Sequence, residues 1–465
     1  MQERYVATAD LGSSKIALSV SKIAGDDIQV IYYKETPSDG IRYSCVFNPT
    51  RASEALRKAI VQAQDDLDIK IMQIVIGLPR HGVRQEVASA AMDRSNPGSC
   101  ISQEEVLAIK NMALDSYPMD DSSKEEIYGA VAQSFTADDM FQQSEEDVVG
   151  SPADTLEGNF KIFVGAKRAV NNIDIMLNSL GVASARKVFL PSAMADAVLS
   201  DEEMDNGVAL IEQGAGVTSI SIYKGRILRY YNSIPFGARN ITTDIKYECG
   251  FKEELAENIK LAFGACIPEK LQSMGEKILQ INDEDSGTYE HLRVKYLSEI
   301  ITCREREIIE SILFLVQESG YAERLRNGIV LTGGGANLAN LANLIKEMSG
   351  YNVRIGYPKT RHMSIEGCPG ITETSAVSSI AMILNSYKDE HLNCIEELHT
   401  EKKIQEAEAE PDVTGTVFED NSKEENKAEK NTRAKSASKF KITWKKPKFI
   451  DTVEGAVGGL FDQME

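Results

Sequence analysis

Two segments about 200 residues apart read alike. ADLGSSKIALSV (9–20) and IEQGAGVTSISI (211–222) each run from an apolar strand through a glycine-containing turn into a second strand. Aligned, Gly12 falls opposite Gly214 and Asp10 opposite Glu212. A third alternating stretch follows each: DDIQVIYYKE (26–35) after the first, GRILRYYNSI (225–234) after the second. The match is an internal repeat about 200 residues apart, and it predicts two matching α/β halves.

Helical spacing in RASEALRKAIVQAQDDL (51–67), and a short buried strand in IMQIVIGLP (71–79), complete the first unit's opening part. From 81 to 167 the texture changes, and an inserted small α+β domain is expected there. Its candidate helix is SQEEVLAIKNMALDSY, with Ser102, Glu104 and Glu105 suited to a cap and first turn. QQSEEDVVGSPADTLEG (142–158) reads as a loose acidic loop. Helices in NNIDIMLNSLGV and PSAMADAVL lead to the second unit, and helical segments then run to about 327. The expected division is lobe I at 1–80 with 168–204 and 361–387, the insert at 81–167, and lobe II at 205–360.

The formal net charge of −20 argues against a general affinity for nucleic acid or anionic surfaces, so any anion-binding site must be local. Seven cysteines without a CxxC pair read as reduced thiols. The opening MQERYVATAD lacks the pattern of a signal peptide, and no run approaches 18 apolar residues.

Three glycine turns stand out: DLGSS (10–14), EQGAG (212–216) and TGGGA (332–336). Any one of them can be a simple turn. Together, with two opening matched halves, they suit a phosphate clamp, because backbone N–H groups at such turns converge on anions. Ser13, Ser14 and Lys15 are candidate donors to phosphate oxygens. Asp10 and Glu212, each near the end of a first strand, are candidate catalytic carboxylates and candidate ligands of Mg²⁺ through water. TGGGA is expected to lie against a base and ribose. Arg80 and His81 read as an ordinary surface pair, and SYPMDDSSKEE (116–126) as a solvated acidic surface.

The C-terminal part differs in kind. Residues 388–430 hold 14 Asp/Glu against 6 Lys with few apolar residues, so 388–438 is expected to be a disordered linker. In 439–465, Phe449, Ile450, Val453, Val457, Leu460, Phe461 and Met464 fall on one side of a helix. Lys445, Lys446 and Lys448 lie just before them, with Trp444, the chain's only tryptophan. The pattern suits a reversible anchor on anionic lipid, each lysine adding about 1 kcal/mol. Docking on the chain's own surface or on a partner is the alternative. A linker of some 50 residues (388–438) favours the lipid, since self-docking needs no such reach.

These features resemble the actin/Hsp70/sugar-kinase superfamily, which implies a two-lobed fold of duplicated ribonuclease-H-like domains. GIRYSCVFN (40–48), the early inserted domain, GIVLTGGGANLANL, NVRIGYP and the amphipathic tail sharpen the resemblance to the FtsA family of bacterial cell-division proteins. It implies ATP as ligand, with Gly12, Ser13, Ser14 and Lys15 in one phosphate loop and Gly214, Gly216 and Thr218 in the other. Glu257 and Lys260 match the pair that contacts ribose, and Gly333, Gly334, Gly335 and Asn337 the adenosine turn. It also implies self-assembly on the cytoplasmic membrane face, the C-terminal peptide of the division protein FtsZ as partner on the lobe holding 238–327, later division proteins as further partners, and no nucleic acid. The second loop departs from the family's D-x-G-x-G-T-T-D: Glu212 replaces an Asp, Val217 a Thr and Ser219 the second Asp. Leu190, in FLPSA, stands where Hsp70-like members carry a water-positioning Glu. Slow or absent hydrolysis is therefore expected. A sugar kinase of the same superfamily and an actin-like pilus-assembly adaptor are the rival readings.

Overall fold

A computed structural model describes residues 3–282, 289–365 and 367–397 of the chain. The expected membrane-binding tail at 439–465, and the expected linker beyond 397, lie outside the described residues.

The sequence repeat is a topological repeat. In the larger sheet Arg4–Leu11 pairs antiparallel with Lys15–Ala24, which pairs antiparallel with Asp27–Pro37. On its other side Arg4–Leu11 pairs parallel with Gln73–Gly77, and that strand with Ala183–Val188. The second sheet repeats this order. Val208–Gln213 pairs antiparallel with Thr218–Lys224 and that strand with Ile227–Ile234. Parallel to Val208–Gln213 lies Ile329–Thr332, and parallel to that Val353–Ile355. The larger sheet adds one edge strand, Met363–Ile365, beside Asp27–Pro37.

Both first strands are covered on two faces, which is why they read as near-continuous apolar runs. Along Val208–Gln213, Ala209 and Ile211 enter a core with Leu297, Ile301 and Leu331, while Val208 and Leu210 enter the core of the first lobe with Ile74, Met194 and Ile380. Helix Pro49–Leu67 buries Leu56, Ile60 and Ala63, and begins at Asn48, whose side chain accepts from the Arg51 backbone N–H. Helix Val377–Tyr387 lies against the first sheet and helix Leu190–Val198.

Between the halves of lobe I, Arg84–Asp93, Glu125–Ala137, Met140–Gln143 and Thr155–Ala166 form a separate antiparallel sheet. Helix Gln103–Ser116 packs on it through Val106 and Ile109, and starts with a reciprocal cap between Ser102 and Glu105.

Three expectations change. QQSEEDVVGSPADTLEG is not loose: it holds the Ser144-capped helix Glu145–Val148, and Val148 and Ala153 are buried. The stretch to 327 is not wholly helical, since Ile278–Asn282 pairs with Tyr289–Arg293. The segment expected to begin a linker at 388 remains on the body to 397. Ile395–Glu397 pairs with Ile69–Ile71, Cys394 is buried, and its backbone N–H donates to Tyr5. A low apolar content hid this, because only a few of its side chains need to enter the core. Among the described residues, no helix is long and apolar enough to cross a membrane.

Candidate nucleotide cleft

The duplicated sheets bring the two predicted loops together. Asp10 is in register with Ala17 across the first turn, and Glu212 with Ser219 across the second, the same seven-residue offset in each. A Cβ built on Gly216 would lie 3.0 Å from Ser13 Oγ, so the second loop touches the first. Ser13 is buried and its Oγ accepts from the Ser44 N–H at 3.2 Å. Gly12 is close-packed, a Cβ there lying 2.6 Å from the Lys15 carbonyl oxygen. Gly214 donates to the Val217 carbonyl at 2.8 Å.

Several expected donors are engaged inside the protein. Lys15 pairs with Glu35 at 2.5 Å. The Thr218 hydroxyl donates to the Phe236 carbonyl at 2.8 Å. Ser14 is exposed.

The third turn closes on the second loop. Gly333 takes φ +88°, and a Cβ there would stand 2.5 Å from the Gln213 carbonyl oxygen; at Gly335 it would meet Gln213 Cγ at 2.6 Å. Glycine is required at Gly333 for both reasons. Gly334 is open by comparison, and Asn337 Oδ1 accepts from the Thr374 hydroxyl at 3.1 Å. On helix Glu253–Phe263, the buried Lys260 donates to the Glu257 carboxylate at 2.8 Å, the Thr242 hydroxyl at 2.9 Å and the Ala238 carbonyl at 3.1 Å. Glu257 and Lys260 are thus a preformed pair tied to helix Ala238–Cys249.

The residue that sequence reasoning missed is Arg80. It is not a surface side chain: it is 11% exposed and sits between the two carboxylates. Nη2 donates to Asp10 Oδ1 at 2.7 Å and to Ser378 Oγ at 2.9 Å, and Nη1 donates to Glu212 Oε1. The Tyr231 hydroxyl holds the Arg80 carbonyl. Neighbouring His81 reaches Ser233 Oγ at 3.1 Å, and burial lowers its pKa. Burial pushes the Glu212 carboxyl above the usual carboxylate range; Arg80 opposes that shift and Asp10 adds to it. Burial alone would lower the guanidinium's pKa, but Asp10 and Glu212 outweigh it and keep Arg80 charged.

The Mg²⁺ expected to be held through water by Asp10 and Glu212 does not fit this donor set, because both carboxylates are already engaged. Both carboxylates share one guanidinium, and the remaining Glu212 oxygen accepts from Ser219 at 3.4 Å. Among the described residues, no group of three or more His, Cys, Asp or Glu side chains is placed to hold a metal.

Two further features bear on turnover. Leu190 is 1% exposed, and a Cβ on Gly77 would lie 2.6 Å from its Cδ1, so an apolar contact fills the position to which the resemblance assigns a water-positioning glutamate. Gln213 donates to Glu305 Oε1 at 2.7 Å, while Glu305 Oε2 is buried without a partner. Burial raises the Glu305 pKa to about 7, with Gln213 and Lys260 acting against the rise.

The family model "Cell division protein FtsA" matches residues 209–381. FtsA of Neisseria meningitidis serogroup B is 28% identical over 77% of this chain and 85% of its own length. FtsA of Borreliella burgdorferi is 28% identical over 87% of this chain and 96% of its own length. Among solved structures, a PilM–PilN type IV pilus biogenesis complex aligns with a TM-score of 0.53 at 14% identity, covering 82% of this chain and 98% of that one. At that identity the likeness establishes the fold alone.

Proposed function

We propose that this chain, a member of the FtsA family of actin-like cell-division proteins, binds ATP between its lobes and works as a membrane-bound scaffold rather than as a fast enzyme. The observation that carries the nucleotide reading is the meeting of the two matched turns, Gly216 against Ser13, with the Gly333–Gly335 turn closed on Gln213. Glycines there leave backbone N–H groups close to where phosphate oxygens would lie. Slow or absent hydrolysis is supported by the buried Leu190, which can neither orient nor accept a proton from water.

The scaffold reading extends to partners. Tyr247, Leu261 and Phe314 are exposed by 76%, 72% and 61% within 238–327, the region where the FtsZ C-terminal peptide is expected to dock. Val87 and Phe141 are similarly exposed on the inserted domain, which suits self-assembly or capture of later division proteins. Membrane attachment at the division site rests on the pattern in 439–465. Single anchors of this kind bind weakly and gain strength when several act on one polymer.

Flotation of the full chain with anionic vesicles, with and without ATP and an FtsZ C-terminal peptide, tests this. The expected result is co-flotation of chain and peptide that is lost on deleting 439–465. A chain that stays in solution and ignores the peptide would point instead to a kinase of the same superfamily. The pilus-adaptor reading shares the fold but is not favoured by the FtsA relatives.

A further inference from the structure

We infer that Arg80 is a resident cation that takes the place of a divalent ion in this cleft, so that a nucleoside polyphosphate binds without a protein-held metal. The inference deepens the nucleotide reading and rests on it, but it has its own test.

The argument begins with Asp10 and Glu212. They lie at matching places on the first strands of the two sheets, and both side chains are mostly buried, 16% and 9% exposed. Two carboxylates brought together in a low-dielectric cleft need a positive charge between them. A bound divalent ion can supply it, and so can a fixed guanidinium. Here the charge is covalently part of the chain. Arg80 bonds both acids at once, one from each lobe, and Ser378 on helix Val377–Tyr387 closes the network by accepting from Arg80 and donating to Glu212 at 3.3 Å. A guanidinium's forked, planar donors match this two-carboxylate task, and it is charged at every working pH.

The position of Arg80 is built rather than incidental. It follows strand Gln73–Gly77, where Leu78 donates its N–H to the Val188 carbonyl at 2.8 Å. Its own carbonyl is held by Tyr231, which is 1% exposed on the other lobe. The side chain thus enters the cleft from a backbone anchored to both lobes. Its Nε–H is buried without an acceptor in this structure, a donor still to be satisfied. A metal held by these carboxylates would have to displace a hydrogen-bonded cation that cannot leave.

The test uses the full chain in two arms. In the first, binding of Mn²⁺ alone is followed by electron paramagnetic resonance without nucleotide. Wild type is expected to bind no Mn²⁺ in the cleft, and Arg80→Met to bind one ion that Asp10→Asn in the same chain removes. In the second, ATP affinity is measured in excess Mg²⁺ and in EDTA. Wild type is expected to differ less than threefold between the two, and Arg80→Met to lose tenfold or more in EDTA. Stoichiometric Mn²⁺ in wild type that is lost with Asp10→Asn would overturn the inference, as would a tenfold loss of wild-type ATP affinity in EDTA. If Arg80→Met does not fold, the two wild-type measurements still decide. Failure of ATP to bind in either buffer would strike the nucleotide reading, while the Mn²⁺ arm would still judge Arg80.

Discussion

Gly216 lies directly against Ser13: a Cβ added to the glycine would stand 3.0 Å from the serine Oγ and 3.2 Å from its Cβ. This contact joins turns about 200 residues apart. Gly216→Ala is expected to be tolerated with a small shift of the Ser13 hydroxyl. Gly216→Val, with two further carbons, should separate the turns and lower ATP affinity more than tenfold. Its stability cost should stay within about 1–3 kcal/mol, as for other overpacked sites. Titration calorimetry beside thermal unfolding checks both halves of the expectation.

Gly333 offers a sharper case. The clash awaiting a side chain there is with backbone, the Gln213 carbonyl oxygen at 2.5 Å, and φ is +88°. Neither can relax as a flexible side chain would. Gly333→Ala should therefore cost more than the roughly 1 kcal/mol of a left-handed non-glycine residue alone. Denaturant unfolding is expected to give a loss of about 2–4 kcal/mol.

Arg80 gives a prediction about charge. Replacing it by Met leaves Asp10 and Glu212 facing each other without compensation. Removing one member of such a buried network typically costs about 3–5 kcal/mol. Adding Asp10→Asn and Glu212→Gln should recover a large part of that loss, because the variant then holds no unpaired charge. Chemical denaturation of the single and triple variants is the check. A triple variant no more stable than Arg80→Met would place the effect in lost packing instead.

Glu305 makes stability depend on pH. Its folded pKa of about 7 is above the ordinary carboxyl value of 4.5. The folded state therefore holds a proton that the unfolded state releases. The favourable contribution is fully present below the unfolded pKa and is lost as pH rises through about 7. Between pH 5 and 8, roughly, wild type should lose on the order of 3 kcal/mol from this group. Glu305→Gln should remove that part of the slope and be the more stable protein at the alkaline end. Melting profiles of the two proteins across this range test it, and equal slopes would contradict it.

The duplication was legible because strand periodicity and turn glycines are local signals, and a buried first strand tolerates little else. The three glycine turns were legible for the same reason. Arg80 was not. In GLPRHG it follows Pro79 and comes two positions before Gly82, a composition that reads as a surface turn. Its partners are 70 and 132 positions away, so only the closed fold brings them together. One signal was present in the chain: two acids within buried strands need a cation, and the sequence reading filled that need with a metal. Thr218 and Lys15 show the limit from the other side. Each is engaged by a partner 18 or 20 positions on, Phe236 just past strand Ile227–Ile234 and Glu35 on strand Asp27–Pro37, which a short motif does not reveal. The strand Ile395–Glu397 was lost to composition, since an acidic stretch can still supply one edge to a small sheet.

The central claim is that two lobes of one design close over a triphosphate without turning it over quickly. Equilibrium ATP binding and phosphate release measured on the same full-length sample test it most directly. The account predicts one saturable ATP per chain, strongly weakened by Gly216→Val, with little or no phosphate released while the nucleotide stays bound. No saturable binding, or rapid multiple turnover despite Leu190, would contradict it.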